Sequence, residues 1–230
     1  MPQQSKKISL VYFVISTLLL VGLVPLVLTG WTLSERSGRE LRSVENRYQI
    51  QLVQEKARQI EMFGQRHSDL VRSLANAFAL SSNASVFELP QTDEKLSATL
   101  RENPDVLALF VKPVHSESLA LYRPSGIGRD EVDTLAGKIL ETGLKEDLFI
   151  DGPRFVGSEN EPVISMASPV MVNGMNIASV IAIVSLRNIS RSVVGMDAMK
   201  ESELWASGLP IIYVIDQDGR TIFHPDPLLM

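Results

Sequence analysis

From Ile8 to Leu33 the chain carries 26 consecutive residues without a charge, ISLVYFVISTLLLVGLVPLVLTGWTL. A helix crosses the hydrocarbon of a bilayer with only about 20 such residues, so any fold for this chain has to place a membrane-length apolar helix at its start. A secretory signal peptide also begins with basic residues, as Lys6 and Lys7 do here. Its apolar core is shorter, however, and a small-residue cleavage site follows it. No such site follows Leu33, and the run reads as an uncleaved anchor. Pro25 and Gly22 are tolerated inside membrane helices, and Trp31 stands where an interfacial aromatic belongs.

Orientation follows from the flanks. Arg36, Arg39, Arg42 and Arg47 alternate with Glu35, Glu40 and Glu45 and open a long domain, whose translocation obeys the positive-inside rule only weakly. Lys6 and Lys7 therefore set a cytoplasmic tail over residues 1–7, a transmembrane helix over 8–33, and residues 34–230 on the periplasmic or extracellular side of the cell inner membrane.

All 27 acidic residues and 20 of the 22 basic ones lie after position 33, a net charge of −7. Such a surface repels polyanions, which excludes nucleic acid as a partner. The chain has no cysteine, so disulfides and thiolate chemistry are excluded. Two glycosylation tripeptides, Asn83-Ala84-Ser85 and Asn188-Ile189-Ser190, are short enough to arise by chance.

Residues 34–80 contain no proline, and Leu41, Val44, Tyr48, Leu52, Ile60, Phe63, Leu70, Leu74 and Ala77 recur at three- and four-residue intervals. This is the mark of an amphipathic helix. Fully helical, the stretch is about 70 Å long, which suits a stalk or a helix laid along more than one module. His67 falls on this stripe, and with no second histidine at a metal spacing it reads as a packed residue.

Beyond residue 104 the pattern turns to short β-rich runs separated by turn residues. Asp105–Val111, Ser118–Arg123, Leu148–Val156, Pro162–Val172 and Ile177–Leu186 are expected to form one antiparallel sheet of about five strands, with a short helix at Arg129–Thr142. Asn173-Gly174 is a two-residue turn signal, because both residues accept positive φ. Gly195–Gly208 reads as a helix or connector. Ile211–Ile215 and Arg220–His224 flank Asp218-Gly219 and read as a hairpin, which alone is marginal in water.

A membrane anchor, a long helix, a sheet ending in ISMASPVMVNGMNIASVIAIVSL, a connector and YVIDQDGRTIFHPDP together resemble the double Cache extracellular sensor domain of bacterial transmembrane signalling receptors. The resemblance covers about residues 34 to 227. It implies an α+β fold: an N-terminal transmembrane helix, then a long amphipathic helix packed on a PAS-like antiparallel sheet, then the first hairpin of a second PAS-like module. The expected domains are the stalk or signalling helix (34–80), the membrane-distal module (81–194), and a connector with the start of the membrane-proximal module (195–230). His224-Pro225 is read as closing that hairpin. The resemblance also implies that the chain is a fragment whose full-length form continues into an output domain such as a histidine kinase, chemoreceptor region, cyclase or phosphatase.

A PAS-like sheet offers a concave pocket where a few polar groups orient a small ligand. On the strands so placed, the candidates are Tyr122 and Arg123 at a strand end, Asp151 and Arg154 beside a turn, and Ser165 and Ser168 within an otherwise apolar strand. An arginine can hold a carboxylate in a bidentate fork and an aspartate can take an ammonium, so the expected ligand is a carboxylate or an amine. The bland reading makes the arginines solvated surface groups and the serines fillers of tight spots. Amino-acid-binding members of the family carry an Arg-x-Trp-Tyr cluster that this chain lacks. No catalytic, metal or cofactor motif is present: there is no Gly-x-Ser-x-Gly, Walker loop or His-Glu-x-x-His.

The apolar seam of the long helix is long enough to pair with its twin, so a homodimer is expected. The alternative from another class is a membrane-tethered structural or adhesion protein that uses the helix as a stalk and binds no ligand.

Overall fold

The computed structural model describes residues 10–80, 90–114, 118–124, 127–141, 147–158, 160–194, 211–215 and 219–224. Contacts divide the chain into two compact units, Met1–Gln54 and Glu55–Met230. A single helix, α1 (Leu10–Leu80), contributes to both. Every side chain from residue 12 to 51 is exposed, and over 12–33 these are the apolar residues of the uncharged run. Among the described residues, one helix is long and apolar enough to cross a membrane.

The second unit is built on a five-stranded antiparallel sheet. In chain order come α2 (Pro90–Glu102), β1 (Val106–Pro113), β2 (Leu119–Tyr122), α3 (Arg129–Glu141), β3 (Phe149–Val156), β4 (Glu161–Val172), β5 (Met175–Ser185) and α4 (Arg187–Val194), followed by β6 (Val214–Ile215) and β7 (Thr221–Phe223). The sheet order is β2-β1-β5-β4-β3. Asn173 (φ 51°) and Gly174 (φ 78°) close the two-residue turn between β4 and β5, with Val172 opposite Met175. Both turn residues take the left-handed conformation that such hairpins require.

The middle of the sheet is buried on both sides, and alternation along each strand divides its side chains between two cores. Val180, Ala182 and Val184 of β5 join Met166 and Val170 of β4 beneath Val71 and Ala75 of α1 and Leu96 and Leu100 of α2. Ile181 and Ile183 join Val163, Ala167 and Phe110 beneath Val132, Leu135, Ala136 and Ile139 of α3. Each fully buried aliphatic side chain of this kind contributes about 1.5–3 kcal/mol. A third cluster seats the β6–β7 hairpin: Phe223 packs with Leu186, Ile189, Val193 and Val194, against Ile60 and Phe63 of α1.

Two expectations need amendment. The packed stripe of α1 takes in the expected Ile60, Phe63, His67, Leu70 and Leu74 and adds Ser68, Val71, Ala75 and Phe78, whereas Ala77, Leu41, Val44 and Tyr48 are exposed. The phase is the expected one; Ser68 and Ala75 are too polar or too small to register in a hydrophobic pattern, and Leu41, Val44 and Tyr48 precede the part of α1 that packs on the sheet. Helices α2 and α4 have no counterpart in the sequence reading. Few large apolar residues mark α2, and eight residues of α4 are too few to display a helical period. The Gly195–Gly208 connector, Asp218 and Pro225 lie outside the described residues.

Gly152 sits in the β3 bulge between Asp151 and Arg154 with φ +126°. A Cβ there meets the Val163 carbonyl oxygen at 3.2 Å and Ile164 Cα at 3.3 Å, both backbone atoms of the neighbouring strand. Gly152→Ala is therefore expected to destabilise the second unit by about 2 kcal/mol, from left-handed strain plus crowding. The midpoint of chemical denaturation of the full chain in detergent, followed by a probe on the sheet, checks this.

Candidate functional site

Register places three of the six sequence candidates in one transverse row. Tyr122 lies opposite Ala108, Ala108 opposite Ile183, Ile183 opposite Ser165, and Ser165 opposite Asp151. Directly paired residues point to the same face, and Ala108 and Ile183 belong to the core under α3. Arg154, opposite Val163, falls in the next row on that face. Four strand spacings of about 4.8 Å nevertheless put Tyr122 and Asp151 about 19 Å apart, too far for one small ligand to join.

The individual environments differ. Tyr122 donates to Asp133 Oδ1 at 2.5 Å, stacks edge-on against Phe110, and carries the Arg129 guanidinium over its ring. Burial, and then the Asp133 carboxylate, push its phenol pKa up to about 12. Arg123 donates through Nε to the Val106 carbonyl at 3.0 Å, and through Nη2 to the carbonyls of Asn103, at 3.0 Å, and Leu100. A cation on the last carbonyls of α2 complements the negative end of that helix.

Asp151 and Arg154 form a bidentate pair at 3.0 and 3.2 Å, and the carboxylate makes the guanidinium hold its proton more firmly than usual. Ser165 is buried beside Asp151 on the α3 face. Ser168 faces the other way and donates to the Asp147 carbonyl at 2.7 Å.

A cavity of about 330 Å³ opens on the α3 side at the end of the strands, with Pro104, Leu107, Ile127 and Val156 as its apolar wall. Its polar wall is Gly157, Ser158, Glu161, Ser185, Arg187 and Asn188. Small-molecule sites run from about 300 to 1,000 Å³ with a few convergent polar groups, and this cavity meets both conditions. Ser185 lies opposite Val163, hence in the Arg154 row.

The polar groups are tied together. Glu161 accepts from Ser185 Oγ through Oε1 and from Arg187 Nη2 at 2.9 Å through Oε2. Ser185 Oγ in turn accepts the Arg187 backbone N–H at 3.1 Å, which caps the first turn of α4. Glu131 of α3 accepts the Gly157 N–H at 2.8 Å, joining the cavity rim to the helix above it. A matched carboxylate and guanidinium, both at the wall of a partly apolar cavity, can receive an ammonium and a carboxylate from one ligand.

None of the six sequence candidates lines this cavity. The residues that do carry no local signal: Glu161 and Arg187 stand at strand and helix ends, where charge is ordinary, and Asn188 opens a tripeptide common by chance. The juxtaposition of a strand-opening acid with a strand-closing Ser-Leu-Arg-Asn is a signal only once β4 and β5 are known to be antiparallel neighbours. Among the described residues no cluster of three metal-ligating side chains occurs.

Behind the cavity wall, Asn188 Nδ2 donates to Asp105 Oδ1 at 2.7 Å, and Asp105 Oδ2 lies 3.9 Å from Nε2 of the buried His67. Burial lowers the His67 pKa below its ordinary 6.5, and the Phe63 carbonyl and Asp105 act against that shift. The unfolded chain then binds this proton at a pH where the folded chain does not. Stability is complete above about pH 6.5 and is lost as pH falls through the interval below it, with a slope reaching about 1.4 kcal/mol per pH unit. Denaturation midpoints of the full chain across this range are expected to show that fall, and His67→Leu to flatten it.

No protein-family model matches the chain, and no curated protein matches it. Solved structures do. The sensory domain of the Campylobacter jejuni chemoreceptor Tlp3 with isoleucine bound aligns over 77% of this chain and 69% of that chain, with TM-score 0.56 at 12% identity. The ligand-binding domain of the Pseudomonas aeruginosa amino acid chemoreceptor PctC in complex with GABA aligns over 76% of this chain and 73% of that chain, at 0.51 and 18%. The extracellular domain of soHK1S-Z6, described as a histidine kinase, aligns over 81% of this chain and 74% of that chain, at 0.56 and 20%. At these identities the likeness is one of fold. The α+β fold anticipated from the sequence, a long helix on a five-stranded antiparallel sheet, is the fold observed, and these sensory domains share it.

Proposed function

We propose that this chain is the extracytoplasmic ligand-sensing part of a membrane-bound signal transduction receptor, and that its ligand occupies the cavity between Ile127, Glu161 and Arg187. Residues 8–33 span the inner membrane, 34–80 form the signalling helix, 81–194 the ligand-binding module, and 195–230 the connector and the start of a membrane-proximal module. The observation that carries the reading is the cavity itself. It places a carboxylate and a guanidinium in contact at 2.9 Å beside an apolar wall, on a sheet of the fold seen in sensory domains.

The ligand class follows from those two groups. A small zwitterion, or an amine with a carboxylate at some distance, can exchange the internal Glu161–Arg187 pair for one partner at each end. Isoleucine and GABA, seen in the structures of Tlp3 and PctC, have this character, although the chain lacks the Arg-x-Trp-Tyr cluster. Asp151, Arg154 and Ser165, on the same face one or two rows away, form an outer contact set for a longer ligand. Tyr122, Arg123 and Ser168 spend their polar groups within the fold.

A ligand shifts the protein between two packings only by its differential affinity for them. One helix, α1, carries both the uncharged run and the residues packed on the sheet, so a change in that packing acts on the segment that enters the bilayer. The exposed Leu41, Val44 and Tyr48 of α1 are the surface for pairing with a second copy.

A thermal-shift screen of the full chain in detergent, against amino acids, organic acids, amines and purines, tests the reading. A ligand at 100 times its Kd stabilises by about 2.7 kcal/mol. Stabilisation by a zwitterion or amine is the expected result, and no hit across the four classes overturns the reading in favour of a ligand-free stalk.

A further inference from the structure

His67 is fully buried on α1. Its Nδ1 donates to the Phe63 carbonyl at 2.8 Å, which leaves Nε2 as the bare acceptor of the neutral ring. Among the described residues Nε2 has no hydrogen-bond partner, and it faces Asp105 Oδ2 at 3.9 Å. A lone pair held opposite a carboxylate inside a protein is unfavourable, and one added proton turns the contact into an attraction.

The second oxygen of that carboxylate accepts from Asn188 Nδ2, and Asn188 belongs to the cavity wall. Asp105 thus stands between the cavity and α1, bonded to one and facing the other. A separate tie, Lys56 Nζ to the Ser192 carbonyl at 2.7 Å, holds the same helix to the far end of α4.

We propose that His67, Asp105 and Asn188 are positioning residues that couple occupancy of the cavity to protonation on α1. The inference rests on the ligand-sensing reading and extends it to a regulation of the same site. A ligand that draws the Asn188 amide towards itself removes one of the hydrogen bonds that disperse the Asp105 charge. The carboxylate then attracts a proton from solvent onto Nε2, and the new N–H closes the gap by about 1 Å to hydrogen-bond length. The start of β1 and the buried stripe of α1 approach each other as it closes. By reciprocity the protonated form binds the ligand more tightly, so affinity rises as pH falls.

The charged groups near the ring are Asp105 at the start of β1 and Arg66 on α1 itself. From α4 the carboxylate meets the neutral amide of Asn188. β4 contributes the thioether of Met166 beside the adjoining Ser68. The two-position element is therefore the Asp105 carboxylate, held by an amide on one side and inviting an imidazolium on the other.

The test is a histidine titration by NMR on the full chain in detergent, ¹⁵N-labelled on histidine, with the His67 signal identified by its loss in His67→Gln. Asn188→Ala is expected to raise the His67 midpoint by about one pH unit, since Asp105 loses its competing donor. Asp105→Asn is expected to abolish that response, so that adding Asn188→Ala to it changes nothing further. Asn188→Ser serves where the alanine variant does not fold. A midpoint unmoved in the folded Asn188 variants overturns the coupling. The titration needs no ligand: an unmoved midpoint with a ligand hit refutes the coupling alone, and a moved midpoint with an empty screen refutes the sensing reading.

Discussion

Arg123→Ala is expected to lower the stability of the second unit by about 3 kcal/mol while leaving the affinity of the folded protein for its ligand unchanged. Three backbone carbonyls, those of Leu100, Asn103 and Val106, accept from this one guanidinium. A hydrogen bond from a charged donor contributes about 1.5–3 kcal/mol. Water reaches part of the vacated site, which holds the loss below the sum of three such bonds. Against a total of about 5–15 kcal/mol for a domain this is a large fraction, and it shows as a lower denaturation midpoint of the full chain in detergent. Arg123→Lys, which keeps the charge and loses the fork, is expected to fall between the two. The opposite pattern, full stability with lost binding, would return Arg123 to the ligand site.

The second large effect is on binding. Glu161→Gln keeps the size of the side chain and its contact with Ser185 but removes the charge that an ammonium needs. The affinity of an amino acid found in the thermal-shift screen is expected to fall about 100-fold, equivalent to about 2.7 kcal/mol. The change in stability is small by comparison, about 0.5 kcal/mol, because the Arg187 side chain is 38% exposed and its ion pair is screened. Calorimetric titration of the full chain separates the two, and an unaltered affinity removes Glu161 from the site.

Both predictions bear on what a sequence makes legible. The strands were readable because β-branched runs such as Val180–Val184 and a two-residue Asn-Gly turn are local signals. Of the six candidates, Tyr122 and Arg123 stand at a strand end, Asp151 and Arg154 beside a turn, and Ser165 and Ser168 interrupt an apolar run. Asp151 and Ser165 do meet across two strands, since their register is fixed by the bulge at Gly152 and the turn at Asn173. Arg123 shows the limit: its guanidinium reaches back 23 residues to the end of α2, a helix that the sequence reading leaves unassigned. The cavity was illegible for a related reason. Its acid and its base sit 26 residues apart, at opposite ends of the β4–β5 pair, and only antiparallel pairing brings those ends together.

The sheet's two borders carry a consequence for the molecule's behaviour in company. One border is β2, four residues long, and the other is β3, interrupted at Gly152-Pro153 by a bulge. Unpaired strand borders are templates on which another chain can add a strand, and brevity, proline and bulges are the means by which natural proteins blunt them. A domain that must expose a cavity and still refuse to polymerise has its defence at these margins. Lengthening β2 or straightening β3 is the route by which it would begin to form fibres.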